Sequence, residues 1–266
     1  MAAALLAQAP APAPHTARDV RFQSAALSRE MPYRVLLPEG YEATGRRYPV
    51  LYLLHGLGGH YTDWTEHTRL ARRLAGRDLI VITPEGANSW YVNWHDGANA
   101  RWEDYLARDL VADVEARFRT EARRESRVIA GLSMGGYGAI RMGLKYPSQY
   151  AMAASLSGAF NVTRLETFGW TEGLRGEFAR AFGPPGSARR AEDDVFALAK
   201  RANPEGLPVL RIDCGTADAF LPANRELAAI LQERKIPYEY RETPGAHNWT
   251  YWDRQVVELL RALPPG

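Results

Sequence analysis

At 266 residues the chain is long for one domain, yet within the range of sheets that carry helices on both faces. Lys plus Arg number 33 and Asp plus Glu 31, and a net charge of +2 gives no electrostatic case for a nucleic-acid partner. The single cysteine, Cys214, excludes an internal disulfide and any multi-cysteine metal site, and its place in the apolar run 209–215 predicts a small core residue. No apolar run reaches the length of a membrane span.

The first residues, MAAALLAQAPAPAP, differ in composition from all that follows. Ala2 to Ala7 is like the end of a signal peptide's apolar core, and cleavage after Ala7 would leave Gln8 ahead of a Pro/Ala linker. A basic leader is missing, so residues 1–17 read either as the remnant of an export signal, with a periplasmic or secreted protein the expectation, or as an Ala/Pro tail of a cytoplasmic one. The catalytic domain is expected over 18–266.

Residues 18–26 and 31–38 alternate apolar and polar, as two antiparallel edge strands would. Pro-Val-Leu-Tyr-Leu-Leu at 49–54 is apolar throughout, the pattern of a strand covered on both faces. The turn His55-Gly56-Leu57-Gly58-Gly59 follows, with Thr62 or Asp63 predicted to cap a helix running to about Leu74. Another buried strand spans 78–83. The segment 85–101 then gathers Trp90, Tyr91, Trp94 and His95 with three asparagines, more than a plain connector needs, and is expected to wall a site. Leu106, Leu110, Val114 and Phe118 make 103–119 an amphipathic helix, and Arg117 to Arg127, which includes Glu121 and Glu125, a solvated helix end and turn.

Strands are predicted at 127–130, 150–156, 208–213 and 237–242, with helices after Ser133, at 221–234 and at 249–263. About fifty residues separate the strands at 150–156 and 208–213, too many for a simple crossover. A small cap at about 158–190, bearing Phe160, Phe168, Trp170, Phe178 and Phe182, plus a crossover helix 191–201, is the expected solution. Alternating strands and helices imply a mostly parallel sheet with helices on both faces.

Three segments carry chemistry. Gly131-Leu132-Ser133-Met134-Gly135 is a G-x-S-x-G element between a strand and a helix, which holds a serine hydroxyl out at the sheet's carboxyl edge with the helix N-terminus behind it. Asp218 and His247 follow later strands on loops at the same edge, in the order Ser, Asp, His. A hydroxyl needs a base, and the base an orienting group, so Ser133, His247 and Asp218 form a candidate triad. Asp213, which also ends a strand, is the competing acid. Leu57 and Met134 are the candidate oxyanion donors through their backbone N–H groups, and His55 is read as a structural partner of that turn. His60, His67 and His95 have no metal-ligand spacing.

Leu54-His55-Gly56-Leu57-Gly58-Gly59, Gly131-Leu132-Ser133-Met134-Gly135-Gly136-Tyr137-Gly138, Cys214-Gly215-Thr216-Ala217-Asp218 and Gly245-Ala246-His247-Asn248-Trp249 together resemble the Putative esterase family. That family includes esterase D (S-formylglutathione hydrolase), tributyrin and feruloyl esterases and mycolyltransferases, and the resemblance runs from about Val35 to Leu260. It implies an α/β-hydrolase fold and a serine carboxylesterase working through an acyl-enzyme, without cofactor or metal, on a small-molecule ester, carbohydrate-linked esters included. Ser133, Asp218 and His247 match the family triad. Gly58-Gly59-His60 stands where the S-formylglutathione hydrolases carry a cysteine-bearing loop, which points to the tributyrin- or cinnamoyl-esterase branch. Short acyl or small aryl groups are expected, with Trp90, Trp94, Trp170 and Trp249 as candidate substrate-binding residues. Acyl transfer to a sugar or alcohol and an S-formylglutathione hydrolase-type thioesterase are the alternatives that use the same triad, and a non-catalytic binding module is a further one.

Overall fold

The computed structural model describes residues 14–97, 99–164 and 172–264. Residues 1–13 and the predicted cap residues Phe168 and Trp170 lie outside them.

Eight strands form one sheet in the order β1-β2-β4-β3-β5-β6-β7-β8. β1 (Thr16–Ser24) and β2 (Arg29–Leu37) pair antiparallel, and β2 pairs antiparallel with β4 (Ile80–Pro84). β3 (Val50–Leu54), β5 (Arg127–Leu132), β6 (Met152–Leu156), β7 (Val209–Gly215) and β8 (Tyr238–Thr243) run parallel with β4. The first strand opens two residues before the predicted domain start, and His15 is already packed, its Nε2 2.8 Å from the Leu79 carbonyl.

The central strands divide their side chains between two cores, which is why they read as unbroken apolar runs. Val50, Tyr52 and Leu54 face one core, Leu51 and Leu53 the other. Over the first lie the helices Leu110–Arg117, Met134–Lys145, Val195–Arg201 and Leu221–Glu233; over the second lies Trp249–Ala262 with Trp64, Leu70 and Leu74. This three-layer arrangement is the α/β-hydrolase fold. Cys214 is fully buried between the layers, and burial pushes its thiol up to about 12.

Two expected helices are broken. In place of one helix to Leu74 stand Asp63–Glu66 and Leu70–Arg73, and the Thr62 side chain makes no capping bond. The crossover helix predicted at 191–201 is Ala188–Asp193 followed by Val195–Arg201, because the Asp194 carboxylate caps the second by accepting from Phe196 and Ala197 N–H.

Candidate active site

β5 ends at Leu132, and Ser133 turns the chain at φ 53° and ψ −116° into the helix Met134–Lys145. A non-glycine residue held there costs about 1–3 kcal/mol and persists because the surroundings fix it. Ser133 N–H bonds to the Leu156 carbonyl at 3.0 Å, while its own carbonyl accepts from Tyr137 and Ala159. The flanking glycines are steric necessities. A Cβ on Gly131 would stand 2.5 Å from the Gly135 carbonyl carbon, and one on Gly135 2.6 Å from the His55 carbonyl oxygen.

Asp218 lies on a turn after β7 and His247 on the loop between β8 and the last helix. The two loops are tied: Ala217 N–H bonds to the Gly245 carbonyl at 2.8 Å and Thr216 N–H to Thr243 at 3.0 Å. His247 Nδ1 is 2.9 Å from Asp218 Oδ2, and His247 Nε2 is 3.0 Å from Ser133 Oγ. A carboxylate only accepts, so Nδ1 carries the proton and the Nε2 lone pair faces the serine. The other carboxylate oxygen accepts Phe220 N–H at 2.8 Å. Burial pushes the Asp218 carboxyl up, but the bonds from His247 and Phe220 outweigh it and hold the group below its usual range. The imidazole is braced edge-on by Phe220 and Trp252 at 5.1 and 5.0 Å.

Asp213, the competing acid, is fully buried and bound to the guanidinium of Arg211 at 2.8 Å. It does not reach His247, whose ring is already paired with Asp218.

The turn Gly56-Leu57-Gly58-Gly59 closes with Gly59 N–H on the Gly56 carbonyl at 3.1 Å and passes beside Ser133: a Cβ on Gly56 would stand 3.4 Å from Ser133 Cβ. His55, buried, accepts Gly86 N–H at Nε2 (2.8 Å), so Nδ1 carries the proton and donates to Gly56 O, also at 2.8 Å. Two donors therefore hold the carbonyl edge of the Gly56–Leu57 peptide, and in a trans peptide the Leu57 N–H points from the opposite edge. It has no hydrogen-bond partner among the described residues. Met134, first residue of its helix, precedes the first intrahelical bond, so its N–H is free as well.

A cleft of about 540 Å³ opens over Ser133 and His247. Its walls are Leu57, the carboxylates of Asp63 and Glu66, the imidazoles of His60 and His67, and Trp249 with Trp252. Trp249 stacks on His67, ring centroids 4.9 Å apart. A second cavity lies at the opposite edge, where β3 and β5 begin, and shares no residue with the triad.

Of the tryptophans expected to hold substrate, Trp249 lines the cleft, and Trp170 lies outside the described residues. Trp90 and Trp94 do not line it. Trp90 is buried against Tyr137, Phe178 and Phe182, and Trp94 lies under Arg180 with its indole N–H on the Ser89 carbonyl. Large apolar rings gain most by leaving water altogether, and these pack the segment onto the body. The spacings that mark the true walls were present: Asp63, Glu66 and His67 recur at i, i+3 and i+4, and Trp249 and Trp252 at i and i+3.

A serine at a strand-to-helix turn, hydrogen-bonded through an imidazole to a buried carboxylate on this sheet, defines a serine hydrolase of the α/β-hydrolase fold. The family model described as "Putative esterase" matches residues 24–263, and the chain belongs to that family. An acetyl esterase of Caldicellulosiruptor saccharolyticus is 30% identical over 218 residues, 79% of this chain and 81% of that one. Among solved structures, the Staphylococcus aureus fluorophosphonate-binding serine hydrolase FphF superposes with a TM-score of 0.85 at 27% identity, covering 95% of this chain and 100% of that one. The S-formylglutathione hydrolase FrmB of the same organism gives 0.83 at 26%, with 94% and 99% covered. The chain is a carboxylesterase.

Proposed function

We propose that Ser133 is the nucleophile, His247 the general base and acid, Asp218 its orienting carboxylate, and the N–H groups of Leu57 and Met134 the oxyanion hole, in the hydrolysis of short-chain acyl or small aryl esters. The observation that carries this is the unbroken hydrogen-bond chain from Ser133 Oγ through both nitrogens of His247 to Asp218. His247 Nε2 takes the serine proton as Oγ attacks the ester carbonyl, and the two N–H groups receive the charge on the carbonyl oxygen. His247 then gives its proton to the departing alcohol. Water, activated by the same nitrogen, releases the acid from Ser133.

The limit on acyl length follows from the walls. Each methylene of a long chain needs apolar cover to gain about 0.8 kcal/mol, and one side of the cleft offers carboxylates and imidazoles instead. The named acetyl esterase relative supports the same size class. A graded series of p-nitrophenyl esters tests it: acetate to butyrate are preferred, and Ser133→Ala loses about 10⁴-fold or more in kcat while keeping its circular dichroism. Turnover rising steadily to palmitate sinks the size reading, and activity retained by Ser133→Ala sinks the site.

A further inference from the structure

The segment after β4 passes behind the oxyanion turn in a strained course. Ala87, Trp90 and Tyr91 have φ of 44°, 57° and 55°, and the Glu85 carboxylate accepts Ala87 N–H at 2.7 Å. Strain of this kind persists only where packing over-determines it, here by the burial of Trp90 and Tyr91. Its result is to set the Asn88 amide against the turn: Asn88 Oδ1 accepts Gly58 N–H at 2.8 Å, and Asn88 Nδ2 donates to Glu177 Oε2, also at 2.8 Å. Glu177 belongs to the helix Glu172–Phe182 of the insertion between β6 and β7, which is docked on the same segment by His95 N–H to the Ala181 carbonyl at 3.0 Å.

The orientation of this amide is dictated from outside. Glu177 can only accept, so Nδ2 must face it, and that leaves the oxygen for Gly58 N–H, which can only donate. Gly58 is the third residue of the Gly56–Gly59 turn, at φ 73°. In such a turn the central Leu57–Gly58 peptide is the part least held by the closing bond, so a fixed acceptor for the Gly58 N–H holds ψ of Leu57 and, through that residue, the pose of the preceding peptide that carries the Leu57 N–H.

We propose that Asn88 is a positioning residue for the oxyanion hole and that Glu177 sets its amide, so that the insertion governs the rate of acyl transfer through a side chain that never meets substrate. The inference rests on Leu57 N–H being an oxyanion donor. Because both acylation and deacylation pass through an oxyanion, a misplaced donor slows the two steps together and leaves KM unchanged.

The first measurement is binding of a small alkyl boronic acid, which forms a tetrahedral adduct on the serine, to the unaltered enzyme and to Ser133→Ala. No serine-dependent binding would refute the oxyanion reading itself. Asn88→Ala is then expected to lower the p-nitrophenyl acetate burst rate and kcat alike by about 10-fold, part of the 10²–10³ lost with a whole donor, with boronate affinity falling in step. Glu177→Lys replaces the acceptor with a donor, turns the amide over and sets Nδ2 against Gly58 N–H, so a similar loss is expected. Adding Asn88→Asp to Glu177→Lys restores activity, since the new carboxylate accepts from both sides. Wild-type kcat in Asn88→Ala, a loss confined to KM, or failure of the paired change to rescue would overturn the proposal. If Asn88→Ala does not fold, Glu177→Lys with and without Asn88→Asp decides the matter.

Discussion

Asp218→Asn separates the two acids by a route the hydrogen bonds specify. One oxygen of Asp218 accepts Phe220 N–H, and the other faces His247 Nδ1. In the amide, the position facing Phe220 must stay an oxygen, which turns the NH₂ towards His247. Nδ1 must then accept, the ring proton moves to Nε2, and the nitrogen facing Ser133 no longer has a lone pair to take the hydroxyl proton. The expected loss is about 10⁴-fold in kcat at neutral pH, on the order of 5 kcal/mol of barrier. Asp213→Asn acts elsewhere. It removes the charge facing the fully buried Arg211, which among the described residues keeps only the half-exposed Glu239 as a full charge partner at 2.7 Å. Stability should drop by about 3 kcal/mol or somewhat less, because the amide oxygen still accepts, with kcat within a few-fold of the unaltered enzyme. Steady-state hydrolysis of p-nitrophenyl acetate and thermal melts on both variants make the comparison. A folded Asp213→Asn enzyme that loses more kcat than Asp218→Asn would refute the assignment.

Glu103 is buried beside Arg141, Lys145 and Tyr146. Burial pushes its carboxyl up, but Arg141, Lys145 and Tyr146 outweigh that and bring it from 4.5 to about 2. A depressed carboxyl adds stability that is complete above its unfolded value and fades as pH falls through the folded one, so up to about 3 kcal/mol should vanish between pH 4.5 and 2. Urea unfolding across that range, with a much shallower slope in Glu103→Gln, checks it. Asp63 and Glu66 face the cleft with no ion-pair partner among the described residues, so esters bearing carboxylates, S-formylglutathione among them, should be poor substrates. The paired change Asp63→Asn and Glu66→Gln should raise kcat/KM for an anionic ester several-fold, more at low salt than at high, and leave p-nitrophenyl acetate alone. Trp249→Ala should cut kcat/KM for aryl esters by about 10-fold with little change in melting, whereas Trp90→Ala should cost about 3–5 kcal/mol of stability; the reverse pattern would return Trp90 to the substrate wall.

The sheet was legible because burial on both faces leaves a plain mark: Val50–Leu54, Ile80–Pro84 and Arg127–Leu132 are fully buried strands, and they read as apolar runs. The triad residues were legible as positions, since chemistry at the carboxyl edge demands rare residue types after particular strands, and the structure brings Ser133, His247 and Asp218 together. Helix continuity was less so. Asp194 stands directly before Val-Phe-Ala-Leu, a capping position that could have been read, but a run of helix formers on both sides hid the break. The destination of the aromatic segment 85–101 could not be read at all. Periodicity is silent in a loop, and a cluster of rings has the same composition whether it faces a substrate or a core.

What that segment does instead follows from its neighbours. Tyr91 sits where any side chain on Gly86 or Gly138 would collide with its ring, and its hydroxyl donates to the His55 carbonyl at 3.1 Å. Gly138 belongs to the helix that begins at Met134, and His55 opens the turn that carries Leu57. One ring is thus wedged between the two elements that carry the proposed oxyanion donors, and it does not line the cleft. Two hydrogen-bond donors converge on one atom only if their backbones are held at a fixed separation, and a rigid aromatic packed on Gly138 of one element and hydrogen-bonded to the His55 carbonyl of the other sets such a separation more firmly than flexible side chains could. On the proposed assignment the ring of Tyr91 thus serves the geometry of the oxyanion donors rather than substrate contact, while the cleft over Ser133 is lined by Asp63, Glu66, His67 and Trp249.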